Sequence, residues 1–454
     1  MRRKLFGTDG IRGIANAEPM TVETATAVGR AVAYHFRNSF GKHKIVIGKD
    51  TRLSGYMFET ALSAGILSMG GDVLLVGPLT TPGIAFITAS MRADAGVVIS
   101  ASHNPFYDNG IKIFGGDGFK LPDDVEGRIE ELMTSSILDE HRPGPEDIGK
   151  ASRIEDATGR YVVYLKSTFP KRLTLDGIKV VVDCGNGAGY RAAPSVFQEL
   201  GAQVKIIGGN PDGFNINKDC GSLHPENISQ MVRDEGANLG ICLDGDGDRC
   251  IIVDDKGDIL NGDHIMAVCG INMLQEKKLK KKTIVATMMS NIGFELAMEK
   301  AGVRVKRADV GDRYVIEEMR RGNFNFGGEQ SGHIIFLDHA TTGDGILASL
   351  QLMKVVIQKG RPLSELRKVM EDFPQVLLNL EVDRKIPLRQ LRETANLIRD
   401  YEKNLIGRGR LYVRYSGTEH LLRIMVEGED QNDISHIARH IAEKATREIK
   451  RYRS

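Results

Sequence analysis

Short β-branched runs recur in this chain in one order, three times over, and that order constrains the fold more than any other feature. The first set is KIVIGKDTR (44–52), DVLLVGPLTTP (72–82) and AGVVISASHNP (95–105). The second is VVVDCGNGAG (180–189), AQVKIIGGNPDG (202–213) and ANLGICLDGDGDR (237–249). The third is TIVATMMSNIG (283–293), VRVKRADVGDR (303–313) and FNFGGEQSGH (324–333). Each first member leads through a small, polar loop into a helix-length segment such as FETALSAGILSMG. Each second member follows the end of that segment, and each third ends in a cluster of polar residues. Strands alternating with helices in a repeated order predict three α/β domains of similar topology with parallel or mixed sheets. From about residue 372 the order changes to strand, helix, strand, strand, helix, which predicts a small α+β domain.

The 454 residues accommodate several cores of ordinary size. With 61 basic against 60 acidic side chains, no net field draws the chain to nucleic acid or to a membrane surface. The basic run EKKLKKK (276–282) reads as a solvated linker. No apolar stretch approaches the ~18 residues of a membrane span, and MRRKLFGTDGIRG lacks the apolar core of a signal peptide. Five cysteines without C-x-x-C spacing argue against a disulfide framework or structural zinc. A cytoplasmic location is expected.

The polar clusters carry the chemistry. LDGDGDR alternates Asp244, Asp246 and Asp248 with glycines, so that all three carboxylates can turn to one side. Their mutual repulsion invites a divalent cation, and oxygen-only ligands favour Mg2+ or Ca2+ over zinc. An EF-hand does not fit, because Arg249 stands at its glycine position and Asp255 at its bidentate glutamate. An acidic surface turn is the competing reading. SASHNP (100–105) ends a strand with turn residues, and either Ser100 or Ser102 could be a nucleophile. His103 neighbours Ser102, but adjacent strand residues face opposite sides, so a Ser–His bond is not expected. Lys112 reads as a solvent-facing lysine, or as a general base if neighbouring cations lower its pKa. RYSGTEHLLR (414–423) offers Arg414, Ser416, Gly417, Thr418 and Arg423, which suit a phosphate monoester as well as a plain hairpin. GGEQSGH (327–333) places Glu329, Ser331 and His333 at alternate positions, as a sugar-hydroxyl loop or a polar turn would. FGTDGIRG (6–13) adds Thr8 and Arg12. A metal, a hydroxyl nucleophile, a phosphate clamp and a polyol loop together read as phosphoryl transfer.

SASHNP, DGDGDR, GEQSGH and RYSGTE, in that order along the whole chain, resemble the motifs of the α-D-phosphohexomutases. FGTDGIRG, CGSLHPE (220–226) and Gln330 resemble the family's amino-sugar branch. The resemblance implies a four-domain, heart-shaped α/β enzyme with one central cleft and one loop from each domain. The domains are expected at 1–168 (phosphoserine loop), 169–265 (metal loop), 266–372 (sugar loop) and 373–454 (phosphate loop). It selects Ser102 as the phosphorylated serine. Asp244, Asp246, Asp248 and Ser102 would hold one Mg2+, and Arg249, Glu329, Ser331, Arg414, Ser416, Gly417, Thr418 and Arg423 would bind substrate. Arg12, Lys112 and His333 occupy the family's acid/base and phosphate-steering positions. The implied reaction converts glucosamine 6-phosphate to glucosamine 1-phosphate, on the route to UDP-N-acetylglucosamine and cell-wall precursors. Glucosamine 1,6-bisphosphate or glucose 1,6-bisphosphate would serve as intermediate or activator, and a homodimer is suggested. One departure is His420, where the family usually has proline; loss of that fixed φ could loosen the loop, or His420 could add a contact.

Overall fold

The computed structural model describes residues 5–37, 43–416 and 420–451. The chain forms two compact units, one of Met1–Met289 with Val303–Lys368 and one of Ser290–Gly302 with Val369–Ser454.

The larger unit holds three sheets. The first comprises β1 (Ile11–Ile14), β2 (Lys44–Lys49), β3 (Asp72–Pro78), β4 (Ala95–Ile99), β5 (Asp108–Gly115) and β6 (Ala151–Arg153), in the order β1-β5-β4-β2-β3-β6. Strands β2, β3, β4 and β6 run parallel, while β5 is antiparallel to β4 and β1. β4 is buried along its whole length, as a central strand covered on both faces must be. Helices Ser54–Leu67 and Thr81–Ser90 make the crossovers. The second of these starts cleanly because the Thr80 hydroxyl accepts from the Gly83 N–H and a proline opens the first turn.

The second sheet comprises β7 (Lys179–Asp183), β8 (Gln203–Ile207), β9 (Leu239–Leu243), β10 (Cys250–Val253) and β11 (Ile259–Leu260), ordered β11-β10-β9-β7-β8. The third comprises β12 (Thr283–Thr287), β13 (Arg304–Ala308), β14 (Phe326–Gly328) and β15 (Ile334–Phe336), ordered β13-β12-β14-β15. Both sheets are mixed, with β10 antiparallel to β9 and β15 antiparallel to β14. The threefold sequence pattern is therefore three α/β layers on one plan. In each, the third member of the set is a buried strand that turns back into an antiparallel neighbour. The polar clusters are those connections: β4 to β5, β9 to β10 and β14 to β15.

In the smaller unit, β16 (Gln375–Glu381), β17 (Gly409–Tyr415) and β18 (Leu421–Gly428) form an antiparallel sheet in the order β16-β18-β17. Helices Arg392–Leu405 and Gln431–Arg451 pack their apolar stripes onto one face, with Ile437, Ala438 and Ile441 joining Leu422 and Ile424 in the core. The first of these helices starts at Arg392, later than the run LRQLRETANLIRDYEKNL suggests. Pro387 precedes a short 3-10 turn at Leu388–Gln390, which uses up the first residues of the run. The RYSGTE segment links β17 to β18, a fourth connection between antiparallel neighbours. The five cysteines form no disulfide, and no helix of the described residues is long and apolar enough to cross a membrane.

Candidate active site

Ser100 and Ser102 are both buried, and they do different things. The Ser100 hydroxyl donates to Asp50 Oδ2 at 2.6 Å and accepts from the Ser102 N–H at 2.9 Å, so it is spent on holding the loop. Ser102 adopts a left-handed backbone with φ of 52°, a conformation that costs a residue with a Cβ and persists only where its surroundings enforce it. The turn swings its Oγ out of the strand's alternation to donate to Asp244 Oδ2 at 2.6 Å. It also brings Oγ to 3.4 Å from His103 Nδ1. The opposite-face expectation for these neighbours fails here because Ser102 and His103 lie in a turn after the strand has ended.

Asp244, Asp246 and Asp248 are buried and each presents a carboxylate oxygen, all within 4.8 Å of one another. Gly245 is required for this packing, since a Cβ there would stand 2.6 Å from the Ser102 carbonyl oxygen. Gly247 takes a positive φ of 67° between the second and third acids. Burial and the charges of Asp248 and Asp246 push Asp244 well above the usual carboxylate range. Asp248 goes the other way: against the cost of burial, Lys112 and His333 hold it well below that range. Asp246 Oδ1 and Asp248 Oδ1 are buried with no hydrogen-bond partner among the described residues. Two orphaned carboxylate oxygens in an all-oxygen cluster fit a hard divalent cation, which a surface turn would not require.

Lys112 is fully buried on β5, with Nζ 2.8 Å from Asp246 Oδ2, 3.2 Å from Asp9 Oδ2 and 3.8 Å from Asp248 Oδ2. This corrects the solvent-facing reading of the residue. It does not face solvent, and its neighbours are acids: burial works against its charge, but Asp246, Asp9 and Asp248 more than offset that and raise its pKa. In the protein alone Lys112 is a cation. Arg12 on β1 pairs with Asp9 and reaches the Ala101 carbonyl at 3.5 Å. The Arg249 N–H donates to Asp244 Oδ1 at 3.1 Å, and its Nε lies 3.8 Å from Asp248 Oδ1.

Glu329 and His333 face each other at the base of the β14–β15 turn, where the Glu329 N–H donates to the His333 carbonyl at 3.0 Å. His333 is buried. The Gly343 N–H donates to its Nε2 at 3.0 Å, which leaves the ring proton on Nδ1, 3.6 Å from Asp248 Oδ2. Burial disfavours a charged ring, yet Asp248, Asp312 and Glu329 outweigh it and raise the pKa of His333. Glu329 accepts from the Gly311 N–H at 3.2 Å, and its own pKa is raised, chiefly by burial. Ser331 sits exposed at the tip of the turn, away from the two residues with which it alternates in sequence.

In the smaller unit, Arg414 of β17 and Arg423 of β18 are directly paired across the ladder. Ser416 is buried; its N–H donates to the Leu421 carbonyl at 2.8 Å and its carbonyl accepts from Lys385 Nζ at 2.7 Å. Gly417 and Thr418 lie outside the described residues. The carbonyl of His420 accepts from the Val382 N–H at 2.8 Å, so backbone pairing anchors this position without proline.

Some residues of the larger site were not singled out from sequence. Asp9, Lys120 and Asp312 form a half-buried acid–base–acid chain beside His333. Thr81 donates to Asp246 Oδ2 at 2.6 Å. Thr81 and Asp312 had a signal in the short polar insertions TTP and VGDR of the repeated sets and Asp9 in GTDG near the start, while Lys120 had none.

Comparison with known proteins gives this geometry a family. Four models described as phosphoglucomutase/phosphomannomutase match the chain: alpha/beta/alpha domain I at residues 3–139, domain II at 159–257, domain III at 261–373 and the C-terminal domain at 377–444. A phosphoglucosamine mutase of Citrifermentans bemidjiense is 60% identical over 440 residues, covering 97% of each chain. The fold is similar to the crystal structure of a phosphoglucomutase/phosphomannomutase family protein from Burkholderia thailandensis, with a TM-score of 0.80 at 22% identity over 98% of this chain and 97% of that one. It is also similar to Aspergillus fumigatus N-acetylphosphoglucosamine mutase in complex with GlcNAc-6P and magnesium, with a TM-score of 0.65 at 17% identity over 98% and 96% of the two chains. With all four domain models matched in order and such close relatives over nearly its full length, the chain belongs to the phosphoglucomutase/phosphomannomutase family, the phosphohexomutases, among its phosphoglucosamine mutases.

Proposed function

We propose that Ser102 carries the phosphoryl group in an interconversion of glucosamine 6-phosphate and glucosamine 1-phosphate. The observation that carries this reading is Ser102 Oγ lying 2.6 Å from Asp244 inside the buried acidic cluster. In the forward direction the bond from phosphorus to Ser102 Oγ breaks as one forms to the sugar O1, giving glucosamine 1,6-bisphosphate. The O1 proton leaves to a neutral acid/base group, the role assigned to His333, and a proton returns to O6 in the second transfer, while the guanidinium of Arg12 and the ammonium of Lys112 steer the phosphate charge. The bisphosphate then presents its other end, and Ser102 takes the phosphoryl group back from O6, releasing glucosamine 1-phosphate. Glucosamine 1,6-bisphosphate, or glucose 1,6-bisphosphate, recharges a serine that has lost its phosphoryl group.

Mg2+ held by Asp244, Asp246, Asp248 and the phosphorylated Ser102 would offset negative charge on the transferring group. Lys112, ion-paired to Asp246, suits steering of phosphate charge better than proton abstraction. Glu329 and Ser331 are assigned to the sugar hydroxyls, and Arg249 to the substrate. Arg414, Ser416, Gly417, Thr418 and Arg423 are assigned to the phosphate that does not react. Two arginines paired directly across strands repel, and a shared phosphate relieves that repulsion. The division into 1–168, 169–265, 266–372 and 373–454 gives each of four domains one of these loops. A cytoplasmic homodimer completes the proposal, resting on the family resemblance.

The amino sugar is favoured over glucose or mannose by the 60% identical relative. Turnover of glucosamine, glucose and mannose 6-phosphates, each with and without a 1,6-bisphosphate, tests the reading. Fastest turnover of glucosamine 6-phosphate, dependent on the bisphosphate, is expected; faster turnover of a neutral sugar overturns it. Steady release of inorganic phosphate without isomerisation would make the protein a phosphatase.

A further inference from the structure

Arg52 is among the largest fully buried side chains of the protein, although arginine is seldom buried without a reason. Its guanidinium has five N–H donors, and all five are used. Nε donates to Asp50 Oδ2 at 2.8 Å. Nη2 donates to the carbonyls of Ser102 at 2.9 Å and Asn104 at 2.8 Å. Nη1 donates to the carbonyl of Asp108 at 3.1 Å and to that of Pro105. One rigid fork thus grips four carbonyls of the segment that carries the serine. Asp50, which orients the fork, also accepts from Ser100, whose hydroxyl in turn receives the Ser102 N–H.

A second grip comes from another part of the chain. Asn217, between β8 and β9, donates its amide Nδ2 to the same Ser102 carbonyl at 2.9 Å and to the Asn104 carbonyl at 3.1 Å. Its backbone is left-handed with φ of 56°, and its N–H donates to the Gly185 carbonyl at 2.8 Å, so its side chain is aimed from a fixed base. The carbonyl of Ser102 is therefore held by two side chains from two different sheets' connections, while its N–H is held by Ser100. With both peptide groups fixed, the left-handed conformation is enforced, and from it Oγ meets the acidic loop at Asp244 Oδ2.

We infer that Arg52, oriented by Asp50, and Asn217 are positioning residues for phosphoryl transfer, clamping the peptide groups on either side of Ser102 so that its Oγ stays in line with the reacting phosphorus. The inference rests on Ser102 as the phosphoryl carrier. Neither residue is assigned to the sugar or to its phosphate, so their loss should act on the chemical step and spare substrate binding. Displacement of a reacting atom by about 1 Å costs on the order of a hundredfold in rate.

The test compares wild type, Ser102→Ala, Asn217→Gly and Arg52→Lys in steady-state turnover of glucosamine 6-phosphate primed with bisphosphate. Asn217→Gly removes the amide and keeps the left-handed backbone accessible. Arg52→Lys keeps the charge beside Asp50 but offers three donors where five are in use. We expect kcat to fall by about tenfold in Asn217→Gly and by about a hundredfold in Arg52→Lys, with KM within about twofold of wild type in both. If Arg52→Lys does not fold, the partly exposed Asn217 decides the matter alone. An unchanged kcat in Asn217→Gly, or a rise in KM that accounts for the lost activity, overturns the inference while an inactive Ser102→Ala leaves the phosphoserine reading standing. Retained turnover in Ser102→Ala overturns that reading and this inference with it.

Discussion

The serine loop and the acidic loop occupy equivalent places in two sheets of the same plan, yet they are held in opposite ways. The serine loop, between β4 and β5, is fixed through its backbone: Arg52 and Asn217 take its carbonyls, and Ser100 takes the N–H of Ser102. The acidic loop, between β9 and β10, is fixed through the charges of its side chains. Lys112 reaches Asp246 and Asp248, and Arg249 and His333 approach Asp248. A nucleophile held by its backbone has its side chain free to react. Acids held by cations have part of their charge compensated, and the two oxygens without hydrogen-bond partners are the ones a metal ion would use. The difference separates aim from charge, and each can be removed without the other.

The largest effect is expected from Ser102→Ala, which should take mutase turnover to background while circular dichroism and the thermal midpoint stay near wild type. Ser100→Ala sharpens the contrast: it loses the loop contact to Asp50 and should keep measurable turnover. Full activity in the first variant and none in the second would exchange the two serines' roles. Asp246→Asn comes next. It removes a charged oxygen from the acidic set, and the concentration of Mg2+ giving half-maximal turnover should rise by more than the roughly 10–100-fold typical of an outer-shell partner. An unchanged Mg2+ dependence would leave the cluster without its assigned ion.

Lys112→Met tests whether charge holds the acidic loop. Removing one partner of a buried charge set commonly costs about 3–5 kcal/mol, read by denaturant unfolding, and added Mg2+ should restore part of the loss. Equal stability with and without Mg2+ would mean that the loop does not depend on compensation. The smallest effect marks what exposure does to the same kind of interaction. Glu276, partly exposed, pairs with Lys354 at 2.9 Å. Burial opposes its charge, but hydrogen bonds from Lys354 and Lys278 bring its pKa down to about 2 from its ordinary 4.5. The lowered value means that its contribution to stability is complete above pH 4.5 and fades as pH falls toward about 2. Glu276→Gln should therefore cost less than about 1 kcal/mol at pH 7, with the gap to wild type narrowing on acidification.

Much of this contrast was legible in the sequence, and the part that was not has a physical reason. The repeated order of strands predicts the three similar sheets, and each polar cluster falls on the connection it was read to be. Asp244, Asp246 and Asp248 declare themselves because their regular spacing with glycine needs an explanation that is local. The choice between Ser100 and Ser102 is not local. It depends on Asp50, from the end of β2, and on a left-handed turn that breaks the period-two rule by which the serines share a face. Lys112 misleads for the same reason, since the acids around it come from segments near residues 9 and 246. Ser331 alternates with Glu329 and His333 in sequence, but a tight turn sends it outward. Arg52 sits in the quoted run KDTR without any sign that its five donors would all be engaged. Periodicity reports which side of a strand a residue occupies; it is silent about residues whose role is set by where a chain turns.

The most direct measurement of the central claim follows the phosphoryl group itself. The protein is incubated with bisphosphate carrying radiolabelled phosphate, and the labelled peptide is identified before and after a chase with unlabelled glucosamine 6-phosphate. The account predicts label on Ser102 alone, chased into sugar phosphate at the rate of turnover. Label on another residue, or label lost from Ser102 only as inorganic phosphate, would contradict it.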